Sequence, residues 1–280
     1  MLIDEKAIVR FMEYDIRPKG KLTIGFKELW EYRELFMFFT WRDIKVKYKQ
    51  TSLGVLWVIL QPLIMTLLFS VFFKSLNNKS SVIPYPIFVL SGLVIWTMFS
   101  SAIMNAGNSM VSNANIIKKI YFPRLIIPVS SILTSLFDML FGVIILVAAI
   151  FYYHVSLNSS VIWLWPLAII VSGISALGLG TFLSALNVKY RDFRYIIPFL
   201  IQAMLFLSPV IYSEQTNNSL LNFLLQLNPV TAGIELFRSA FLGYEPQWNA
   251  IKISLLSNFL LLIVGIFYFK KTESYFADIA

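Results

Sequence analysis

Six long stretches of this chain are almost free of charge: residues 53–73, 84–108, 125–153, 161–188, 195–212 and 253–269. A helix rises about 1.5 Å per residue, so crossing a hydrocarbon core of about 30 Å takes about 20 residues. Each stretch has enough apolar residues for one crossing, and only Asp138 puts a formal charge inside any of them. Backbone groups in lipid must bond internally, and these runs exceed the roughly 10-residue alternating strands of a membrane barrel. The pattern therefore predicts an all-α polytopic membrane protein with six transmembrane helices.

Composition agrees. Hydrophobic residues make up 58% of the chain and charged residues 14%, against about 25% charged in a soluble domain. Lys and Arg are unevenly placed between the spans. Residues 1–52 hold eleven, 106–124 hold three, 189–194 hold three and the residues after the last span hold two, whereas the opposite set of loops holds only Lys74, Lys79, Arg238 and Lys252. The positive-inside rule then places both termini in the cytoplasm, which an even number of crossings allows. The net charge of +8 sits beside spans, where it sets topology and attracts anionic lipid headgroups, so nucleic acid is not the expected partner. The absence of Cys removes disulfides, thiolate catalysis and Cys-based metal sites. No apolar core of a signal peptide occurs in the first twenty residues, and insertion is expected to start at the first span.

Ahead of that span, Lys27, Glu31, Glu34, Arg42, Lys45 and Lys49 fall near one stripe at helical spacing, with Phe26, Leu29, Trp30, Phe36 and Ile44 broadly opposite. This predicts an N-terminal amphipathic interfacial helix lying along the membrane; a solvated helix docked on a partner protein is the alternative. Among the outer loops, 154–160 barely turns the chain, whereas 213–252 is long enough to carry structure of its own. Within it, 220–227 and 231–242 are apolar but too short to span, and Asn228-Pro229 parts them. Two short re-entrant helices dipping into the outer leaflet are expected, with a pair lying flat on the surface as the alternative.

Polar groups inside the spans narrow the chemistry. Asp138 costs about 2.5–3.5 kcal/mol on an insertion scale, so it should face protein, water or a partner. A proton relay needs further ionisable groups at similar depth, and a hydrogen bond between helices fits better. His154 lies near an outer boundary, where an interfacial role fits better than catalysis. Sugars present hydroxyl edges and weakly apolar faces that stack on aromatic rings. Tyr195, Phe199, Gln202 and Phe206 form one aromatic and polar stripe on the fifth span, and Trp57 and Gln61 start another on the first that continues through Met65 to Phe72. Such stripes also arise as lipid-facing or packing surfaces; Gln61 and Gln202 favour a path, since an amide facing lipid would be unsatisfied.

An ordered set of short motifs runs through these spans: Leu53-Gly54, Leu56-Trp57 and Gln61-Pro62 in the first; Lys118-Lys119 and Phe122-Pro123-Arg124 after the second; Asn187-Val188 and Tyr190-Arg191-Asp192 after the fourth; then Ser208-Pro209-Val210, Tyr212, Asn228-Pro229 and Phe237-Arg238. In these the chain resembles the permease subunits of ABC-2 type transporters that export polysaccharides such as O-antigen and teichoic acid. The resemblance implies a single membrane domain over 1–280, with a cytoplasmic region to residue 52, the six-helix part over 53–269 and a cytoplasmic tail. It also implies a homodimer, two copies of a separate ATPase and a lipid-linked polysaccharide as substrate. No phosphate-binding loop occurs; Gly20-Lys21 lacks the upstream glycine and precedes Leu22. In such permeases a short cytoplasmic helix between spans two and three fits a groove of the ATPase, and residues 112–122 hold that place. Asn113 or Asn115 would cap it, Lys118 and Lys119 would supply charge, and Ile116, Ile117, Ile120 and Tyr121 an apolar face, with Pro123 as its stop. The alternative is that the two lysines only anchor topology. No catalytic residue, cofactor or metal site is expected. A capsular or teichoic acid exporter, a secondary transporter and a membrane enzyme acting on a lipid carrier stay open; the last two would need internal repeats with midplane ion ligands, or a cluster of carboxylates, His or Cys near one interface.

Overall fold

A computed structural model describes residues 26–49, 54–73, 83–155, 161–211, 219–243, 245–273 and 276, with side chains from residue 29. Leu53, Tyr212, Gly20-Lys21 and the side chains of Phe26 and Lys27 lie outside the described residues. Among those described the chain is helical throughout: α1 (Phe26–Glu31), α2 (Arg33–Lys49), α3 (Gly54–Phe73), α4 (Tyr85–Ser112), α5 (Ala114–Ile117), α6 (Ile126–Tyr152), α7 (Leu164–Lys189), α8 (Phe193–Phe206), α9 (Ser219–Leu227), α10 (Thr231–Leu242) and α11 (Trp248–Thr272). The bent pair α9–α10 makes a sixth candidate span if counted as one, and five single helices, α3, α4, α6, α7 and α11, are each long and apolar enough to cross a membrane. They correspond to five of the six expected spans.

The remaining expected span, 195–212, is helical only over Phe193–Phe206. Fourteen residues rise about 21 Å, short of the hydrocarbon core. The backbone leaves the helix at Leu207 to Ile211, where Pro209 cannot donate to a helical bond and the Ser208 hydroxyl turns back to the Leu205 carbonyl at 2.7 Å.

Helix α4 is the hub, buried along most of its length and packed by α6 and α7 and, more lightly, by α3, α10 and α8. By contrast α3 buries only Pro62 and Thr66. Small residues set the closest approach. A Cβ on Gly265 of α11 would lie 2.1 Å from the Gly178 carbonyl oxygen of α7, so the two backbones touch where no side chain intervenes.

Helices α9 and α10 meet at 90°, and their break at Asn228-Pro229 is where the sequence places it. The polar groups released there are bonded one by one. Asn228 Oδ1 accepts the Val230 amide at 3.2 Å; the Asn228 carbonyl accepts Ser254 Oγ at 2.8 Å; and the Pro229 carbonyl accepts Ser175 Oγ and Asn258 Nδ2, each at 2.9 Å. A bend inside an apolar bundle survives only if neighbouring helices supply such partners, and here α7 and α11 do.

The N-terminal helices differ from a simple two-sided stripe. Leu35, Phe36 and Phe39 turn toward the bundle, while Trp30, Met37, Phe38 and Trp41 are exposed together with Lys45 and Lys49. Arg42 bonds its neighbour Asp43 at 2.7 Å. Moreover α2 climbs α6, because its last turn reaches Asp138, twelve residues or about 18 Å along that helix.

The α7–α11 crossing is testable. Gly265→Leu should destabilise the purified protein by about 1–3 kcal/mol through overpacking, read as a lowered unfolding midpoint in detergent. Gly173→Ala, where an added Cβ meets nothing within 4 Å, should be neutral or slightly stabilising; equal losses in both variants would show that close approach is not what Gly265 provides.

Candidate translocation path and coupling surface

The two proposed path stripes lie on exposed faces of the single chain. On α3, Trp57, Gln61 and Phe72 are exposed and Met65 is half-buried. On α8, Tyr195 (79% exposed), Phe199, Gln202 and Phe206 all face outward. Helices α3 and α8 each lean on α4 without packing extensively on one another, so one subunit presents both stripes but does not enclose a path.

Gln61 does more than face outward. It lines a small cleft of about 70 Å³ with Lys47, Thr97, Ser101, Asp138 and Met139. That is well below the roughly 150 Å³ of a cavity that admits benzene, so it suits water and not a sugar ring. Its wall brings together polar and apolar side chains from the four helices α2, α3, α4 and α6. The Ser101 and Ser135 hydroxyls lie 2.9 Å apart across α4 and α6. Asp138 accepts bonds from Lys47 and Tyr48 of α2. The intramembrane charge is thus bonded between helices as expected, but its partners come from the segment preceding the first span. Burial, and next the Asp138 carboxylate, push the Tyr48 phenol well above its ordinary pKa.

The segment between α4 and α6 forms a single turn, α5, in place of a longer helix. Asn113 holds the N-cap position, its carbonyl accepting the Ile116 and Ile117 amides at 3.0 and 3.1 Å, but its side chain makes no cap bond. Asn113 ends α4, its backbone amide on the Ser109 carbonyl at 3.1 Å, and its side-chain amide donates to that same oxygen at 2.8 Å; Asn115 sits exposed within the turn. The expected apolar face is divided. Ile117 and Phe122 are buried, whereas Ile120 and Tyr121 (74% exposed) project with Lys118 and Lys119. That leaves a compact outward patch of two cations, one aliphatic and one aromatic side chain.

Behind the patch lies a second core. Ile117, Phe122, Leu125, Val188 and Phe269 pack with Phe39 of α2 and with Phe276. The Phe39 and Phe122 rings lie 5.7 Å apart. Arg124 ties the segment after α11 to it, its backbone amide on Glu273 Oε1 at 3.3 Å and its guanidinium on the Glu273 carbonyl and 5.9 Å from the Phe276 ring.

At the other end of the bundle stands a residue that sequence reasoning passed over as one more loop charge. Arg238 of α10 is 1% exposed. Its guanidinium lies 3.7 Å from the Phe88 ring centre and donates to the Phe88 carbonyl at 3.2 Å, the Val210 carbonyl at 3.4 Å and Ser91 Oγ at 3.4 Å. Gly92 makes the room, since a Cβ there would lie 2.6 Å from Arg238 Nη2. With the Tyr85 hydroxyl on the Ile211 carbonyl at 2.8 Å and Asn228 Nδ2 on the Leu207 carbonyl at 2.8 Å, the irregular backbone after α8 is held from three sides. The signal for this was present in Phe237-Arg238, a cation inside an otherwise apolar helix.

These features define a helical membrane protein with a polar-lined cleft, two exposed aromatic stripes and an outward cationic patch between its second and third spans. The family model described as ABC-2 type transporter matches residues 34–242, and the chain belongs to that family. It is 31% identical over 248 residues to the O-antigen export system permease protein RfbA of Klebsiella pneumoniae, covering 88% of this chain and 95% of that protein. It is 25% identical to the RfbA protein of Myxococcus xanthus, over 90% of this chain and 97% of that protein. To the polysialic acid transport protein KpsM of Escherichia coli it is 22% identical, over 83% and 91% respectively.

The Arg238 cluster makes a direct prediction. Arg238→Met leaves buried carbonyls without a donor, each worth about 1–3 kcal/mol, and should lower the unfolding midpoint in detergent. Arg238→Lys, which cannot stack and reach three acceptors together, should fall between. A Met variant as stable as the parent would remove Arg238 from the architecture of that end.

Proposed function

We propose that this chain is the permease subunit of an ATP-driven exporter that moves a lipid-linked, O-antigen-like polysaccharide across the cytoplasmic membrane. The observation that carries the reading is the family match together with relatives, aligned over nearly their whole length, whose names specify O-antigen export permeases. In this reading the permease is not itself an enzyme. Hydrolysis belongs to a separate ATPase, in two copies, and the permease is a homodimer. Support for the dimer is the exposure of both stripes: a second copy would face Tyr195, Phe199, Gln202 and Phe206 across a shared path flanked by Trp57, Gln61, Met65 and Phe72. Both termini are cytoplasmic, as the Lys and Arg distribution favours, with the exposed aromatic and basic face of α2 toward the anionic leaflet. Helices α9 and α10 then form the re-entrant pair at the outer end. A capsular polysaccharide is the second reading for the cargo, favoured by the KpsM relative.

Lys118, Lys119, Ile120 and Tyr121 are the proposed docking patch, with Asn113 and Asn115 shaping the turn that presents it. Lys118→Glu with Lys119→Glu should weaken co-purification of the ATPase by about five- to a hundred-fold or leave hydrolysis that no longer drives export. A Cys at Ser112, in a chain without Cys, should stay unlabelled by an impermeant reagent in intact cells. A correctly inserted variant that assembles, hydrolyses and exports normally would leave the lysines as topology anchors only.

The path is tested by Gln61→Ala with Phe206→Ala. Both side chains are exposed in the single chain, so their loss removes little buried packing, and export should fall while dimer and ATPase assembly persist. Normal export by the double variant would take those residues out of the path.

A further inference from the structure

Asp138 costs more than a neutral residue would, and neutral residues tie helices together elsewhere in this protein. Asn187 of α7 bonds the Gly107 carbonyl of α4 at 2.9 Å and Asn108 Oδ1 at 3.1 Å; Ser175 and Ser254 serve the α9–α10 break. A carboxylate in an apolar span carries an insertion cost of about 2.5–3.5 kcal/mol, so its presence asks what an ion pair does that an amide does not. Attraction between charges falls off slowly with distance, whereas a neutral hydrogen bond fails steeply with angle and length. An ion pair holds two elements through a change of geometry.

The surroundings fit a joint that stays closed while the elements it links move. Helix α2 is fastened to α6 and the segment ahead of it at three levels: Phe39 against Phe122 ahead of α6, Ser130 Oγ on the Phe36 carbonyl at 3.4 Å, and Lys47 and Tyr48 on Asp138, where the Tyr48 ring also lies 6.2 Å from both Phe137 and Phe141. Five residues after Lys49, at Gly54, the chain enters α3, whose own attachment is slight. The polar cleft lies where α2, α3, α4 and α6 meet, with Lys47, Gln61, Thr97 and Asp138 on its wall, so water can follow the pair if it shifts. At its lower end the α2–α6 unit shares a core with Ile117 and Phe122, directly behind the Lys118–Tyr121 patch.

We propose that the Lys47–Asp138 pair clasps α2 to α6 as one lever, through which movement of the patch between α4 and α6 is carried into α3 and the Gln61 side of the path. Asp138 is then a positioning residue of transport and takes no part in proton transfer. The inference rests on the ATPase-coupled reading above.

The test uses the full permease–ATPase complex in vesicles. Asp138→Asn and Lys47→Met should each reduce export per ATP hydrolysed by about tenfold, within the usual range of coupling between sites, with hydrolysis and assembly retained. The charge-exchanged Lys47→Glu, Asp138→Lys variant should recover most of the loss, which a merely space-filling role would not produce. Spin labels at Cys placed at Trp41 and Leu133 should keep their separation when ATP binds, while labels at Leu63 and Leu256, on α3 and α11, should change theirs; in Asp138→Asn the first pair should broaden and the second lose its response. Normal export per ATP by the single variants, or no recovery in a folded exchange variant, overturns the clasp. So does a Trp41–Leu133 separation in the parent that changes with nucleotide, and this arm decides even if a substituted chain fails to fold. A parent complex whose hydrolysis drives no export sinks the functional reading and the clasp with it.

Discussion

Every backbone carbonyl and amide that leaves a helix inside an apolar bundle must find a partner within the protein, since lipid offers none. The arrangement at one end of this molecule follows from that requirement. Helix α8 stops after fourteen residues and α9 turns through 90° into α10, so two stretches of irregular backbone come together. They are satisfied jointly: Asn228, at the second break, bonds the Leu207 carbonyl beyond the first, and Arg238, on the helix after the second break, bonds Val210 beyond the first. The end of the proposed path helix and the bent pair are therefore one hydrogen-bonded unit, fixed to α4 through Phe88, Ser91 and the room left by Gly92.

The opposite end is organised by apolar packing. Phe39, Ile117, Phe122, Phe269 and Phe276 come from three segments distant in sequence, and they converge behind the exposed patch of α5 and the residues following it. A push on that patch meets close-packed side chains and a one-turn helix with little slack, which transmit displacement instead of absorbing it. Between the two ends α4 is enclosed and α3 is not. Relative movement is cheapest where least surface is already buried, and that singles out α3.

How much of this could be read from the residues depends on whether the determinant is local. The apolar runs of α3, α4, α6, α7 and α11 are legible because lipid enforces composition on each helix separately, and α9 and α10 are legible because Pro229 ends one hydrogen-bonding ladder and the flanking runs are too short to span. The early end of α8 was harder: Ser208-Pro209 carries the signal, but an apolar stretch continuing to residue 212 outweighs it in a length count. The single turn of α5 escaped because Asn113 has two uses, as an N-cap or as a back-bond to Ser109, and sequence does not rank them. Gln61 and Asp138 stand out as polar residues in apolar runs, yet nothing near either in sequence places them on one cleft.

The partners of the two buried charges lie furthest from local reading. Asp138 is bonded from α2, about ninety residues earlier, and Arg238 from Phe88, Ser91 and Val210. Counting charges by loop treats Arg238 as a topology marker and Lys47 as one cation among eleven, although both point inward. The two are solved differently. Arg238 is enclosed, bonded to neutral acceptors and stacked on an aromatic ring, with no carboxylate bridged to it among the described residues; such a site suits a fixed contact, because displacement would leave several polar groups unpaired at once. Lys47 and Asp138 pair beside a polar cleft with part of the lysine exposed, so displacement there exchanges a protein partner for water. The same requirement, that no charge stand alone in an apolar bundle, thus yields an enclosed cation on neutral acceptors at one end of the subunit and an ion pair between α2 and α6 near its middle.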